Sequence, residues 1–294
     1  MLRKELVLFL TVMISSCMFA LDGVIIKASG LNDGLLISGL RALGASIFIL
    51  ALNGRLPKFR KSGLFVGSML GVLVGTLAFP MAILEIPVGV ALILFHGAII
   101  WIVVFKAVLR RPISRLDIVT GVTIFAGLII LLYQPTELNI PGLAIGVLGG
   151  LAFAFYLFLG EEETERVPED RFVLIDAFIF GQIGIAILVI LVFGRGMEQT
   201  LDLTSSGQQI VLMDGVMYGL AYIILTKAIK PGFSHLVAAY IGGLEPFLGI
   251  LFARFFLGEK IGFQLVWGFL IVAGAIVTRA LILYHRERGL LRVT

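Results

Sequence analysis

The sequence predicts an all-α integral membrane protein whose ten transmembrane helices form two inverted five-helix repeats. The first observation is composition: 59% of the 294 residues are hydrophobic and 14% are charged, with a mean hydropathy of +1.08. Soluble domains carry about 25% charged residues, and a soluble fold could not bury this much apolar surface. The second observation is a set of ten apolar stretches, each close to the ~20 residues that cross a bilayer core. The third is a similarity between the two halves of the chain.

The ten predicted spans cover residues 6–28, 34–53, 63–84, 88–108, 116–133, 141–159, 171–193, 207–228, 235–257 and 263–284. Turn-forming residues separate them, for example at 85–87 and 230–232. The first apolar run continues past Cys17 to Ile26, which is too long for the apolar region of a signal peptide. We therefore expect an uncleaved first span.

The distribution of basic residues predicts the orientation. With the N-terminus in the cytoplasm, seventeen of the 23 Lys and Arg residues fall in cytoplasmic segments and four fall outside. This bias predicts that both termini are cytoplasmic, in the inner (plasma) membrane of a bacterial-type cell. Because the basic residues flank the spans, orientation accounts for the net charge of +4, and we expect no nucleic-acid partner.

Glycines at four-residue spacing predict close helix packing. In a membrane, helices approach closely where small residues face each other. Two such series occur in spans three and six: Gly67, Gly71 and Gly75, and Gly142, Gly146 and Gly150.

An internal repeat relates the two halves. Residues 88–94 correspond to residues 236–242 at an offset of 148 residues, and two glycine pairs at six-residue spacing correspond at an offset of 147. Those glycines are Gly121 and Gly127 in the first half and Gly268 and Gly274 in the second. The predicted repeats, residues 1–135 and 140–288, hold five spans each. Because five is odd, the second must be inverted, which is typical of transporters with a site near the membrane midplane.

The second half resembles the C-terminal half of the drug/metabolite transporter superfamily, EamA-type. Three segments carry the resemblance: Leu244-Glu245-Pro246, Leu257-Gly258-Glu259-Lys260, and Gly268 through Gly274. The first half agrees through Lys27, Leu40-Arg41 and Gly121 with Gly127. It departs where His96-Gly97-Ala98 replaces a usual proline and where Arg110-Arg111-Pro112 replaces a Gly-Glu-basic turn.

The resemblance implies ten helices in two five-helix repeats and export of small metabolites, often driven by protons. It leaves the substrate open among amino acids, sugars, nucleotide-linked compounds, organic cations and drugs. Amino acids or related amphiphilic solutes are the first expectation.

Glu245 is the leading candidate for a functional carboxylate. An ionisable group at the centre of a span costs about 2.5–3.5 kcal/mol on insertion scales, so it is expected to be paired, to face a cavity, or to function. Glu245 lies near the middle of span nine, before Pro246, and proline leaves the carbonyl of Gly242 without its helical partner. Proton exchange is one interpretation. A structural hydrogen bond to Arg41 or His96 is the other.

His96 is the second candidate, because the offset of 148 pairs it with Leu244 and so predicts nearly equal depths for His96 and Glu245. An imidazole changes charge near physiological pH or binds a substrate carboxylate. The alternative is a buried histidine whose hydrogen bonds are satisfied within the core and which has only a structural role.

Asp214, Tyr218 and Tyr222 lie at i, i+4 and i+8 of span eight, on one helical face. Tyr156 and Tyr240 add phenols at membrane depth. An acid beside aromatic faces suits an amine or an aromatic substrate. An interfacial aromatic belt is the alternative, and it fits Tyr222 better than Tyr218.

Asp22 and Arg41 complete the predicted binding and coupling residues. Asp22 either pairs with Lys27 near the outer mouth or faces the cavity. Arg41 either binds substrate or pairs with an acid. Asp176 lies near the cytoplasmic end of its span and is expected to be interfacial.

No phosphate-binding loop, zinc motif or nucleophile elbow occurs in the sequence, so we expect neither an enzyme nor a cofactor nor a metal. The expected partners are a small-molecule substrate, protons and lipid, with the protein a monomer or a homodimer. An integral-membrane enzyme or lipid-handling protein is the first alternative, and a passive channel is the second.

Overall fold

The computed structural model of the protein describes residues 2–132, 139–167, 172–193, 204–228 and 234–287, together with residues 170 and 202. These residues form eleven α-helices and no strand. The helices are α1 (Leu2–Ala28), α2 (Gly34–Asn53), α3 (Gly63–Glu85), α4 (Val88–His96), α5 (Ala98–Val108), α6 (Arg115–Leu132), α7 (Ile140–Arg166), α8 (Val173–Phe193), α9 (Ser206–Ala228), α10 (Ser234–Leu257) and α11 (Phe263–Glu287).

The helices follow the predicted spans with two clear differences. Helix α7 continues to Arg166, beyond the predicted end at residue 159. The fourth predicted span, residues 88–108, is divided at Gly97, which separates α4 from α5. Glycine has a low helix propensity because it loses the most backbone freedom on ordering. The break lies directly after His96, so it falls at the depth of a candidate functional residue.

Five segments of the described chain are long and apolar enough to cross a membrane by length and composition. They are Gly34–Leu52, Gly63–Glu85, Val88–Val108, Ile140–Arg166 and Val173–Val192. The number of ten spans stays a prediction.

Apolar side chains cover the outside of the helix bundle. Val119, Val122 and Phe125 on α6 are 62%, 64% and 57% exposed. In contrast, Asp22 and Arg41 are 2% exposed. Apolar side chains on the outside and ion pairs inside are the reverse of the distribution in a soluble protein. This distribution fits a lipid environment. The chain is a multi-pass α-helical membrane protein.

Contacts between the two halves of the chain dominate the packing. Helix α3 packs on α7, α2 packs on α8 and α9, and α1 packs on α9 and α10. Helix α6 packs on α11, and α10 packs on α4 as well as on α11 within its own half. Helix α7 also contacts α4 and α5, and α8 contacts α3. The core is therefore an interface between the first and second halves.

Glycines allow the closest of these approaches. A Cβ atom on Gly71 of α3 would lie 2.6 Å from the backbone nitrogen of Tyr156 on α7, and one on Gly150 would lie 2.5 Å from the carbonyl oxygen of Leu94. The predicted packing role of these two glycines is confirmed. A second crossing joins α2 to α9, where a Cβ on Gly215 would lie 2.2 Å from the carbonyl oxygen of Arg41.

Candidate functional site

A buried ion pair between Arg41 and Asp22 joins α2 to α1. The Nε and Nη2 atoms of Arg41 donate hydrogen bonds to the two carboxylate oxygens of Asp22 at 2.6 and 2.5 Å. This two-point geometry is the strongest that a guanidinium and a carboxylate form. A buried charge of this kind is tolerated because its partner is fixed beside it.

Asp214 of α9 lies beside the same guanidinium and next to Asp22. Its Oδ2 atom is 3.7 Å from the Nε of Arg41, beyond hydrogen-bond distance. Both carboxylate oxygens are buried, and neither accepts a hydrogen bond from a donor in the described part of the chain. The cluster therefore combines two carboxyl groups with one guanidinium.

Aromatic rings enclose this cluster. The guanidinium carbon of Arg41 lies 3.7 Å from the centre of the Tyr218 ring and 5.8 Å from that of Phe79. Stacking of this kind favours the charged guanidinium. Phe19 of α1 meets Tyr218 edge to face, with 5.3 Å between ring centres.

The close crossing of α2 and α9 places Arg41 next to Asp214. Gly215 directly follows Asp214 and lies against the backbone of Arg41, while a Cβ on Gly44 would lie 2.3 Å from the carbonyl oxygen of Leu212. With larger residues at these positions the two helices would separate, and the acid and the guanidinium would separate with them.

His96 and Glu245 form a second pair, between α4 and α10. The Nε2 of His96 lies 3.5 Å from Oε2 of Glu245, and the two side chains are 10% and 13% exposed. The Nδ1 of His96 lies 2.8 Å from the carbonyl oxygen of Leu92. Because a carbonyl only accepts, Nδ1 must carry a proton.

That hydrogen bond determines what the other ring nitrogen can do. In a neutral imidazole with the proton on Nδ1, Nε2 is an acceptor. A neutral His96 facing an ionised Glu245 would place two acceptors opposite each other. The pair is satisfied when it holds one proton, either on Nε2 or on the carboxyl group.

Tyr156 and Tyr222 are joined by their hydroxyl groups. The Tyr156 hydroxyl also donates to the carbonyl oxygen of Leu174 at 3.3 Å, so it accepts from Tyr222. The Tyr222 ring stacks on Phe178, with 3.8 Å between ring centres. These rings extend the aromatic lining of the bundle from Tyr218 towards α7 and α8.

An ion-pair network connects the segment between α2 and α3 to α8. Arg60 donates to Asp176 at 3.0 Å and to Asp170 at 2.5 Å, and Arg55 also donates to Asp176. The Asp176 side chain is fully buried.

Two further ion pairs tie the ends of α1 and α7 to the turns after α10 and α5. Lys27 Nζ lies 2.7 Å from Oε1 of Glu259. Glu259 also accepts a hydrogen bond from the backbone N–H of Val88 at 3.1 Å, at the start of α4. Arg111 pairs with Glu162.

A cavity of about 520 Å³ adjoins the Asp214 side of the cluster. Its lining residues are Ile25, Ser206, Gln209, Ile210, Met213, Asp214 and Met217. The lining is mainly apolar, and it contains one acid and no basic side chain.

The structure brings together most of the residues singled out from sequence. Asp22, Arg41, Asp214 and Tyr218 form one cluster, and His96 and Glu245 form another. The role of each residue stays a prediction. Tyr240 lies in α10, but its side chain falls outside the described residues.

Two expectations need correction. Asp22 does not pair with Lys27, because Arg41 takes both carboxylate oxygens and Lys27 pairs with Glu259. The expectation that Asp22 faces a transport cavity stays a prediction. The aromatic-belt interpretation of Tyr222 is wrong, because its side chain packs inside the bundle against Phe178 and Tyr156 and is 9% exposed.

Sequence reasoning missed the roles of Glu259 and Phe178. Glu259 stands in the turn that carries the family resemblance, and its position after Gly258 was a usable signal. Phe178 gave none, because a phenylalanine within an apolar span is usually packing. In the described residues, no group of three or more His, Cys, Asp or Glu side chains is placed to hold a metal ion.

Residues 140–280 match the EamA-like transporter family, a family of membrane transporters of small solutes. A search among curated proteins finds no match. Among solved structures, 26 chains match. One, a crystal structure of a protein, superposes with a TM-score of 0.61 over 94% of this chain and 98% of its own length, at 14% identity. The shared fold thus extends over nearly the whole chain, and residues 140–280 are similar to the EamA-like transporter family, which belongs to the drug/metabolite transporter superfamily.

Proposed function

We propose that the protein is a secondary active transporter that exports small organic solutes by alternating access, coupled to protons at His96 and Glu245. Amino acids or related amphiphilic metabolites are the proposed solutes. The observation that carries the proposal is the contact between these two side chains, because their hydrogen-bond geometry is satisfied by one shared proton. While His96 and Glu245 are in contact, they share one proton. When a conformational change separates the two side chains, that proton can be released.

Two inverted repeats, residues 1–135 and 140–288, form the proposed scaffold. The proposed repeats pair the helices in chain order: α1 with α7, α2 with α8, α3 with α9, α4 and α5 with α10, and α6 with α11. When each helix is replaced by its counterpart, the principal contacts are exchanged as well. The contact of α3 with α7 becomes that of α9 with α1, and the contact of α2 with α9 becomes that of α8 with α3. The contact of α1 with α10 becomes that of α7 with α4 and α5. This pattern supports a two-fold relation and ten spans.

Two turns add local support for the repeat. Arg110 and Gly258 are 148 positions apart and both adopt a left-handed backbone, with φ of 54° and 68°. A non-glycine residue in this region is uncommon. The same turn conformation thus follows α5 and α10, although the residues in it differ.

Both polar clusters lie between the proposed repeats. His96 comes from the first and Glu245 from the second, and Arg41 likewise meets Asp214 across the interface. Alternating access requires a site at the repeat interface, because rocking of one repeat against the other then exposes it to each side in turn.

The proposed location is the inner (plasma) membrane, with both termini in the cytoplasm and the protein a monomer or a homodimer. The excess of basic residues on one side supports this orientation. An impermeant label applied to intact cells should leave a C-terminal tag unmodified, and labelling of that tag would overturn the orientation.

Solute counterflow in proteoliposomes tests the transport function. Vesicles loaded with an unlabelled metabolite should transiently accumulate the labelled form, and the recovered metabolite should be chemically unchanged. Conversion of the metabolite would favour the alternative of an integral-membrane enzyme or lipid-handling protein. Absence of stimulation by the unlabelled solute would favour a passive channel, since a pore does not need to reorient.

A further inference from the structure

We infer that Asp214 is the recognition residue for a protonated amine, so that the cavity beside it selects cationic amphiphilic solutes over zwitterions and anions. This inference rests on the proposed transport function and deepens it: among the proposed solutes it favours amphiphilic amines over amino acids, because amino acids are zwitterions.

The charge of the cluster is the first step. Asp22 and Asp214 face one guanidinium, and Asp22 takes both of its charge-assisted hydrogen bonds. An ionised Asp214 would thus leave one uncompensated negative charge among buried groups, which is strongly unfavourable. A proton or a monovalent cation must compensate it.

The hydrogen-bond inventory is the second step. Both oxygens of Asp214 are buried and accept no hydrogen bond from an N–H or hydroxyl donor of the described residues. The Asp22 carboxyl group lies within hydrogen-bonding reach of Asp214, but it supplies a donor only when one of the two acids is protonated. Ordinarily a buried carboxyl group has its partners supplied by the protein. The missing donor is what a primary or secondary ammonium group would supply.

The cavity is the third step. Asp214 is one of the seven residues lining a space of about 520 Å³, large enough for a small metabolite. Ile25, Ile210, Met213 and Met217 make most of this lining apolar. Methionine side chains adapt easily to differently shaped apolar groups, so an ammonium group can reach the acid after small side-chain movements while its apolar body stays among them.

The same lining disfavours a carboxylate on the solute. No Lys, Arg or His is among the cavity residues. Arg41 is the nearest guanidinium, and Asp22 and the Tyr218 ring already occupy it. A zwitterion would therefore bury its carboxylate without a partner, next to two acids.

Protons should compete with the amine at this site. The charged and titratable groups around Asp214 are Asp22 from α1, Arg41 from α2 and Tyr218 on α9 itself. Beyond Tyr218 lies Glu245 of α10, which is paired with His96. When the cavity is empty, a proton on Asp214 balances the cluster, and the bound ammonium group replaces that proton.

Matched probes test the selectivity on purified protein. Phenethylamine, phenylalanine and 3-phenylpropanoate share one apolar body and differ in charge. A second series of amine, zwitterion and anion carries a cyclohexyl group in place of the phenyl ring, in case the phenyl ring does not fit the cavity. In calorimetry, we expect each amine to bind about tenfold to a hundredfold more tightly than its zwitterion or anion. Measurements in buffers of different ionisation enthalpy should detect proton release on amine binding.

Two variants localise the effect. Asp214→Asn should remove the preference for the amine and the proton release. Asp202→Asn is the matched control, because Asp202 is an exposed acid just before α9 and lies outside the cavity lining. It should leave both intact.

The inference is overturned if no amine binds more tightly than its matched zwitterion, including the case in which nothing binds, or if Asp214→Asn retains the preference. Binding at equilibrium requires no transport. Amine selectivity without counterflow would therefore reject the transport function alone, while counterflow without amine selectivity would reject this inference alone.

Discussion

Lys27 and Glu259 form an ion pair of 2.7 Å that joins the end of α1 to the turn between α10 and α11. At the corresponding turn after α5, the charges are exchanged: Arg111 stands 148 positions before Glu259 and pairs with Glu162 of α7. The basic turn that departs from the family pattern thus pairs with an acid near the end of α7.

These pairs predict unequal costs of alanine substitution. Glu259 also binds the N–H of Val88, at the start of α4, so Glu259→Ala removes both an ion pair and a helix cap. We expect a loss of about 1–2 kcal/mol for this variant and of about 0–1 kcal/mol for Lys27→Ala, whose pair is partly exposed. Thermal unfolding in detergent measures the order. Equal losses for the two variants would contradict the capping role.

The crossing of α2 and α9 predicts a strong effect of one methyl group. In Gly215→Ala, the new Cβ would lie 2.2 Å from the carbonyl oxygen of Arg41, so the helices must separate. We expect a destabilisation of about 1–3 kcal/mol. Gly274→Ala on α11 is the control, because its Cβ would meet nothing within 4 Å, and it should be neutral or mildly stabilising. A Gly215→Ala protein as stable as the control would contradict the close approach.

The two acids beside Arg41 predict an asymmetry. Asp22→Asn leaves the buried guanidinium without its two-point partner and should cost about 3–5 kcal/mol. Asp214→Asn removes a group that accepts no hydrogen bond in the described residues, so it should cost about 1 kcal/mol or less. Denaturation of both variants under the same conditions gives the comparison. A larger loss for Asp214→Asn would show that the pairing is reversed.

Asp170 predicts a pH-dependent contribution to stability. Burial alone would raise the pKa of Asp170, but hydrogen bonds from Arg60 and from the backbone N–H of Phe172, with the charges of Arg60 and Lys58, hold the pKa below its ordinary value. A lowered pKa stabilises the fold above the pKa of the unfolded chain, about 3.9, and this contribution is lost as the pH falls below it.

Asp170→Asn should therefore be less stable than the parent at neutral pH, and the difference should vanish in acid. Melting temperatures of the two proteins from about pH 3 to pH 7 test this. A difference that stays constant over the range would mean that the carboxylate charge is not the cause.

Local sequence signals were sufficient for the helices. Apolar runs and turn residues predicted their positions, because each helix satisfies its own backbone hydrogen bonds in lipid. The break at Gly97 was not predicted, since the apolar run continues on both sides. The repeat predicted that His96 and Glu245 lie at similar depths, which is consistent with the contact between them.

The partners in the ion pairs could not be predicted from the sequence. Asp22 and Lys27 are neighbours on α1, so sequence spacing favoured their pairing. The structure instead pairs Asp22 with Arg41 on α2 and Lys27 with Glu259 beyond α10. Which helices touch depends on the packing of side chains that are far apart in the chain. Hydropathy describes only local sequence and does not predict these contacts. The same reason explains the unexpected burial of Tyr222.

Glu245→Gln tests the proposed coupling most directly, because glutamine mimics a carboxyl group that cannot release its proton. Asp202→Asn is the control for loss of an exposed acid. Solute uptake driven by a pH gradient and solute exchange without a gradient are measured in the same proteoliposomes between about pH 5.5 and pH 8, the range around the ordinary pKa of histidine. We predict that the Gln variant loses gradient-driven uptake and retains exchange, since reorientation itself needs no change of charge. Normal gradient-driven accumulation by Glu245→Gln would contradict the role of the His96–Glu245 pair in coupling.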